Sequence, residues 1–184
     1  EEENRHQQSL VEIKEQWKAL EEQGVYIYES QRQNAQIVKN GFDDPDILLG
    51  MCLLEPQAGK TGILCENIKS FMEDGTPLEN IYVMTSLSSK GWLKQMERRL
   101  PKLLHKNIYH RPHLNKTFIE NIISKKNVVI LLDESQIACS ENQTLCNVFE
   151  EAGLFNIENL YEKDIKIIEY SATPNGLYHD LNKT

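Results

Sequence analysis

Ile47-Leu48-Leu49-Gly50-Met51-Cys52-Leu53 runs straight into Leu54-Glu55-Pro56-Gln57-Ala58-Gly59-Lys60-Thr61. The apolar run is short and broken by a glycine, which suits a buried strand. A helix is predicted from Thr61 to Met72. Strand, glycine-containing loop, Lys-Thr and helix is an arrangement able to hold a triphosphate. Loop N–H groups curl around phosphate oxygens, and the helix N-terminus adds partial positive charge. Gln57, Ala58, Gly59 and Gly62 would form the cradle. Lys60 would neutralise the β and γ oxygens, and Thr61 would offer its hydroxyl to Mg2+. The strict G-x-x-x-x-G-K-[ST] pattern is relaxed, because Leu54 stands at the first glycine.

Around this unit the chain alternates apolar runs and helical patterns. Strands are expected at 47–53, 80–85, 107–110, 128–132 and 165–170, with helices at 61–72, 90–100, 114–124 and 144–153. Near-continuous apolar strands separated by helices predict an α/β fold, a mainly parallel sheet with helices on both faces. Upstream, Leu10, Ile13, Trp17 and Leu20 lie at helical spacing. Residues 1–24 therefore read as an N-terminal helical extension of a domain over 25–184. A second helix is expected over 30–39, after a short stretch at 25–28 that could be extended.

Val128-Val129-Ile130-Leu131-Leu132 delivers Asp133-Glu134 at a strand's C-terminal end, where open parallel sheets bind ligands. Asp133 is suited to holding Mg2+, and Glu134 to polarising an attacking water. Further on, Ser171-Ala172-Thr173-Pro174 follows the last strand.

Gly59-Lys60-Thr61, Asp133-Glu134-Ser135-Gln136 and Ser171-Ala172-Thr173 together resemble motifs I, II and III of the superfamily 2 helicases and translocases. The resemblance spans about residues 26–175, the first of that family's two RecA-like P-loop NTPase domains. It departs from the family at Gln57, where many members have a glycine, and in reading D-E-S-Q for motif II. It implies ATP and Mg2+ as cofactors, Lys60, Asp133 and Glu134 as catalytic residues, and Gln136, Ser171 and Thr173 as coupling residues. It also implies nucleic acid, DNA or RNA, as a partner. A second RecA-like domain would be needed for full activity, so the chain alone should bind ATP weakly and hydrolyse little. An adenine-reading glutamine is expected upstream of the loop, with Gln31 and Gln33 as candidates and Gln33 slightly favoured. Arg32 could assist, or Tyr28 could stack on the base.

Charge supports a phosphate-backbone partner. The net charge is −8, yet the segment from Ser86 to Val128 holds ten Lys/Arg against Glu97 and Glu120. A basic block in an acidic chain is the footprint of a nucleic-acid site. Thr85, Ser86, Ser88, Lys90, Lys94 and Arg98, at the family's motif Ia position, are the candidate phosphate contacts. Trp92 could stack a base, although a Trp on a helix face is more often core. His105, His110 and His113 lack nearby cysteines and read as surface histidines of this face, not as metal ligands.

No apolar stretch approaches the roughly 18–20 residues needed to cross a bilayer, so no membrane partner is expected. Cys52, Cys65, Cys139 and Cys146 form no C-x-x-C pair. Reduced thiols in an intracellular compartment, cytoplasm or nucleus, are the reading. Two other classes compete. A P-loop nucleoside kinase of the thymidine kinase type also carries a D-E-x-Q run, but its cysteine pairs are missing here. A nucleotide-binding module without catalysis would explain the lost first glycine.

Overall fold

A computed structural model describes residues 1–54, 59–85, 87–133 and 144–171. Five strands, β1 (Leu49–Leu53), β2 (Ile81–Met84), β3 (Ile108–Tyr109), β4 (Val128–Asp133) and β5 (Ile165–Ser171), form one sheet in the order β1-β5-β4-β2-β3. Every pairing is parallel. Seven helices are described: α1 (Glu2–Glu22), α2 (Glu29–Gly41), α3 (Lys60–Glu73), α4 (Lys90–Arg99), α5 (Lys116–Ile123), α6 (Thr144–Glu151) and α7 (Ile157–Lys163).

The side-chain alternation of β4 separates two cores. Val129 and Leu131 join a cluster built from α1, α2, α3 and α4, while Val128, Ile130 and Leu132 join one built from α5, α6 and the α7 segment. This division follows from chain direction. From β1 through β2 to β3 the chain advances across the sheet, and from β3 through β4 to β5 it returns. With right-handed crossovers, that reversal moves the connecting helices to the opposite face. All six residues of β4 are buried, so its sequence is continuously apolar until Asp133.

Helix α1 shares the first core through Leu10, Ile13 and Trp17. A buried polar chain ties α2 to α3 and the sheet. Asn67 Nδ2 donates to the Ala35 carbonyl at 2.9 Å, and Tyr170 Oη donates to Asn67 Oδ1 at 2.7 Å. Lys39 closes the other end, with its ammonium 3.1 Å from Asp43 and 2.5 Å from Asp74. Burial opposes its charge, but the two carboxylates together raise its pKa. Residues 25–28 enter no strand. Helix α7 and three 3-10 turns (78–80, 102–107, 111–113) were not anticipated from the sequence.

Candidate functional site

At the C-terminal edge of the sheet, three strand ends lie side by side. Leu53 of β1 pairs with Ser171 of β5, and Tyr170 of β5 pairs with Asp133 of β4. Strand β5 therefore separates the Lys60 loop from Asp133 by two strand spacings, roughly 9–10 Å. The long Lys60 side chain spans that gap, placing Nζ 3.5 Å from Asp133 Oδ1. Asp133 shares the face of Val129 and Leu131, and hence of α3. Its other oxygen, Oδ2, accepts the indole N–H of buried Trp92 at 2.9 Å. Ser171 stands between the two motifs, and its carbonyl accepts the N–H of Leu54 at 3.0 Å.

Helix α3 begins at Lys60, with Thr61 and Gly62 in its first turn. Gly59 turns the chain into it at φ 78°, ψ 42°, a left-handed conformation that favours glycine. Its partner is Gln31. The Gln31 amide donates from Nε2 to the Gly59 carbonyl at 3.0 Å and accepts the Tyr28 N–H on Oε1 at 2.8 Å. A Cβ on Gly59 would collide with that amide, and one on Gly62 would lie 2.6 Å from it. Gln31 is thus buried against the loop. Gln33 is exposed, and its amide donates to Glu29 on its own helix at 3.5 Å. Between the two glutamines, it is Gln31 that the fold brings to the Gly59 turn. Arg32 faces Glu21 and Glu66.

Gln31 also lines a cleft of about 750 Å³ with exposed Tyr26 and Tyr28 and the Lys94, Arg98 and Arg99 side of α4. Lys94 and Arg98 therefore share this cleft with Gln31, which holds the Gly59 turn. Of the other candidate phosphate contacts, Ser88 and Lys90 are exposed beside the α4 N-terminus. Thr85 is fully buried, and its hydroxyl accepts the Leu87 N–H at 3.3 Å. It shapes the loop from within. The basic segment does not form one patch: Lys125 lies at the opposite, N-terminal edge of the sheet, bonded to Glu79 O and Tyr82 Oη.

The histidines require a correction. His110 is buried, not on the surface, because the 3-10 turn at 111–113 folds His113 against it with ring centroids 4.4 Å apart. Burial, then His113 and Lys90, push its pKa down. His105 Nε2 lies 3.0 Å from the Leu100 carbonyl.

Gln57, Ala58, Ser86, Glu134, Gln136 and Thr173 lie outside the described residues. The contact of Trp92 with Asp133 was not read from the sequence, because nothing in a helical pattern says which carboxylate an indole will meet. Nor was Glu169, a second buried carboxylate, on the sheet face away from Lys60. Among the described residues no helix is long and apolar enough to cross a membrane, and no cluster of three or more His, Cys, Asp or Glu could hold a metal. No family model, curated protein or solved structure matches the chain.

Proposed function

We propose that this chain is an ATP-binding motor domain of the superfamily 2 helicase and translocase kind, acting on DNA or RNA with a second RecA-like domain. The observation that carries the reading is the Lys60–Asp133 pair, 73 positions apart in sequence and 3.5 Å apart in the fold. A lysine opening a helix after a left-handed glycine meets a carboxylate at the end of a buried parallel strand. Helix N-termini and the C-terminal edges of parallel sheets are where phosphates and their cations bind, which supports the reading. The candidate donors, the Thr61 hydroxyl and the Asp133 carboxylate, are all oxygen and suit Mg2+. When bound, Mg2+ supplies charge neutralisation at the β and γ phosphates.

The chain's own residues then have distinct tasks. Lys60 turns from Asp133 to the phosphate oxygens, so one cation serves both states. Gln31 holds the loop turn and, with Tyr28, faces the nucleoside end. Glu134, one residue beyond Asp133, is the residue the resemblance assigns to the attacking water. Ser171 sits between the two motifs, where a change at either reaches β5.

Thermal melting tests this. Mg-ATP at about 100 times its Kd adds about 2.7 kcal/mol of stability, and Lys60→Ala removes that gain. Hydrolysis by the chain alone stays slow. A melting temperature that millimolar Mg-ATP leaves unchanged would sink the nucleotide reading. Rapid turnover abolished by Lys60→Ala would keep the site but overturn the need for a second domain.

A further inference from the structure

We infer that Trp92 is a positioning residue for Asp133, and the point through which the Leu87–Lys90 segment and the nucleotide site affect one another. The inference rests on the nucleotide-site reading above and adds a route between that site and the strand-binding loop. The two oxygens of Asp133 are divided, with Oδ1 facing Lys60 at 3.5 Å and Oδ2 held by the Trp92 indole at 2.9 Å. An indole N–H can only donate, and Trp92 is buried, so this bond is shielded from competing water. When Lys60 turns to phosphate, the indole keeps the carboxylate oriented.

The same residue is fixed to the loop. Trp92 is the third residue of α4, and its backbone N–H donates to Ser89 Oγ, the helix cap, at 3.1 Å. One step upstream, Leu87 donates to Thr85 Oγ1 and accepts from the Arg111 N–H at 3.1 Å. Exposed Ser88 and Lys90 lie within this bonded stretch. A nucleic-acid phosphate that docks on them displaces Ser89, and with it the indole. By linkage, Mg-nucleotide at Asp133 must alter strand affinity by the factor with which the strand alters nucleotide affinity.

The chain has two tryptophans, Trp17 and Trp92, so its amide NMR spectrum carries two indole N–H signals. Trp92→Phe identifies the second by its loss. A single-stranded oligonucleotide alone should move the Trp92 signal and leave Trp17 in place, and Mg-ATP should move the same signal. Adding the oligonucleotide should change the Kd for Mg-ATP by about fivefold or more in the wild type and leave it unchanged in Trp92→Phe. Without the indole donor, Mg-ATP affinity should itself fall about tenfold. A purely packing role would lower the melting temperature of Trp92→Phe but preserve the coupling, and that result would overturn the inference. So would a Trp92 signal that the oligonucleotide leaves stationary, a measurement that needs only the wild-type chain. A wild type that binds no nucleotide would take down the proposed function as well, whereas nucleotide binding with an unmoved Trp92 removes only this inference.

Discussion

Gly59 and Gln31 constrain one another. The glycine is needed for its φ of 78° and for the room its missing Cβ leaves to the Gln31 amide. Gly59→Ala should therefore lose about 1–3 kcal/mol through backbone strain, with a further loss as Gln31 is displaced, read as a lower urea midpoint. Gln31→Ala leaves the Tyr28 N–H without its partner and takes one donor from the Gly59 carbonyl, which keeps the Gly62 and Ile63 N–H groups. It should cost about 1–3 kcal/mol and reduce the Mg-ATP shift in melting temperature. Gln33→Ala, on the exposed side, should stay within about 0.5 kcal/mol and leave that shift intact; equal effects from the two substitutions would refute the assignment. The sequence could not separate these glutamines because both fit the same motif window. Two helical positions differ by about 200° around the axis, so only the docking of α2 on α3 decides which one meets the loop. Gly59 was legible because a left-handed turn favours glycine, and Lys60 and Asp133 because each stands where an apolar pattern ends, a charge the local fold itself does not require.

At the scale of elements, Asn67 is the tie between α2, α3 and β5. Its amide takes the Ala35 carbonyl on one side and the Tyr170 hydroxyl on the other, wholly out of water. Asn67→Ala strips the Tyr170 hydroxyl of its partner and takes the second donor from the Ala35 carbonyl, whose bond within α2 remains, and should cost about 1–3 kcal/mol. Tyr170→Phe orphans only Asn67 Oδ1 and should cost about 1–3 kcal/mol, measured by urea denaturation. Because Tyr170 is also the neighbour of Asp133 across β4 and β5, both variants should weaken Mg-ATP binding as well. A variant with native nucleotide affinity and native stability would show that the tie is dispensable. Strands and long helices were readable because a sheet buried on both faces writes uninterrupted apolar runs. Helix α7 was not, since seven residues with Leu160 as the one buried side chain give too little periodicity. Helix α4 was legible as a helix, but its roll was not. Trp92 and Met96, four positions apart, turned out to be its buried side, which sends Lys94 and Arg98 to the Gln31 cleft.

For the whole molecule, buried titratable groups set how stability changes with pH. His110 is held neutral, with its pKa below the usual 6.5. The folded form therefore binds a proton less readily than the unfolded chain. Its contribution is present above pH 6.5 and is lost progressively as the pH falls from there through the lower folded value. His113 and Lys90 lie beside it and oppose its charge, so acidification loosens the corner that meets the Leu87–Lys90 segment. The alkaline side has the opposite origin. Burial raises the thiols of Cys52 and Cys65 from 9.0 to about 11 and about 12. It also raises Tyr82 to about 12, and Tyr170 above its ordinary value of 10. These groups stay protonated in the fold after the unfolded chain has ionised. Their stability contribution is complete below pH 9 and falls as the pH climbs, with a slope up to about 1.4 kcal/mol per pH unit for each group. Urea denaturation in reductant from pH 5 to pH 10.5 should trace a plateau between about 6.5 and 9. Cys65→Ala should lower the plateau through lost packing, yet flatten the decline above pH 9 by up to one group's slope. His110→Gln should flatten only the acid limb. If Cys65→Ala kept the wild-type alkaline slope, the thiol would be ionising in the fold as readily as in water, and its burial against α4 would have to be abandoned.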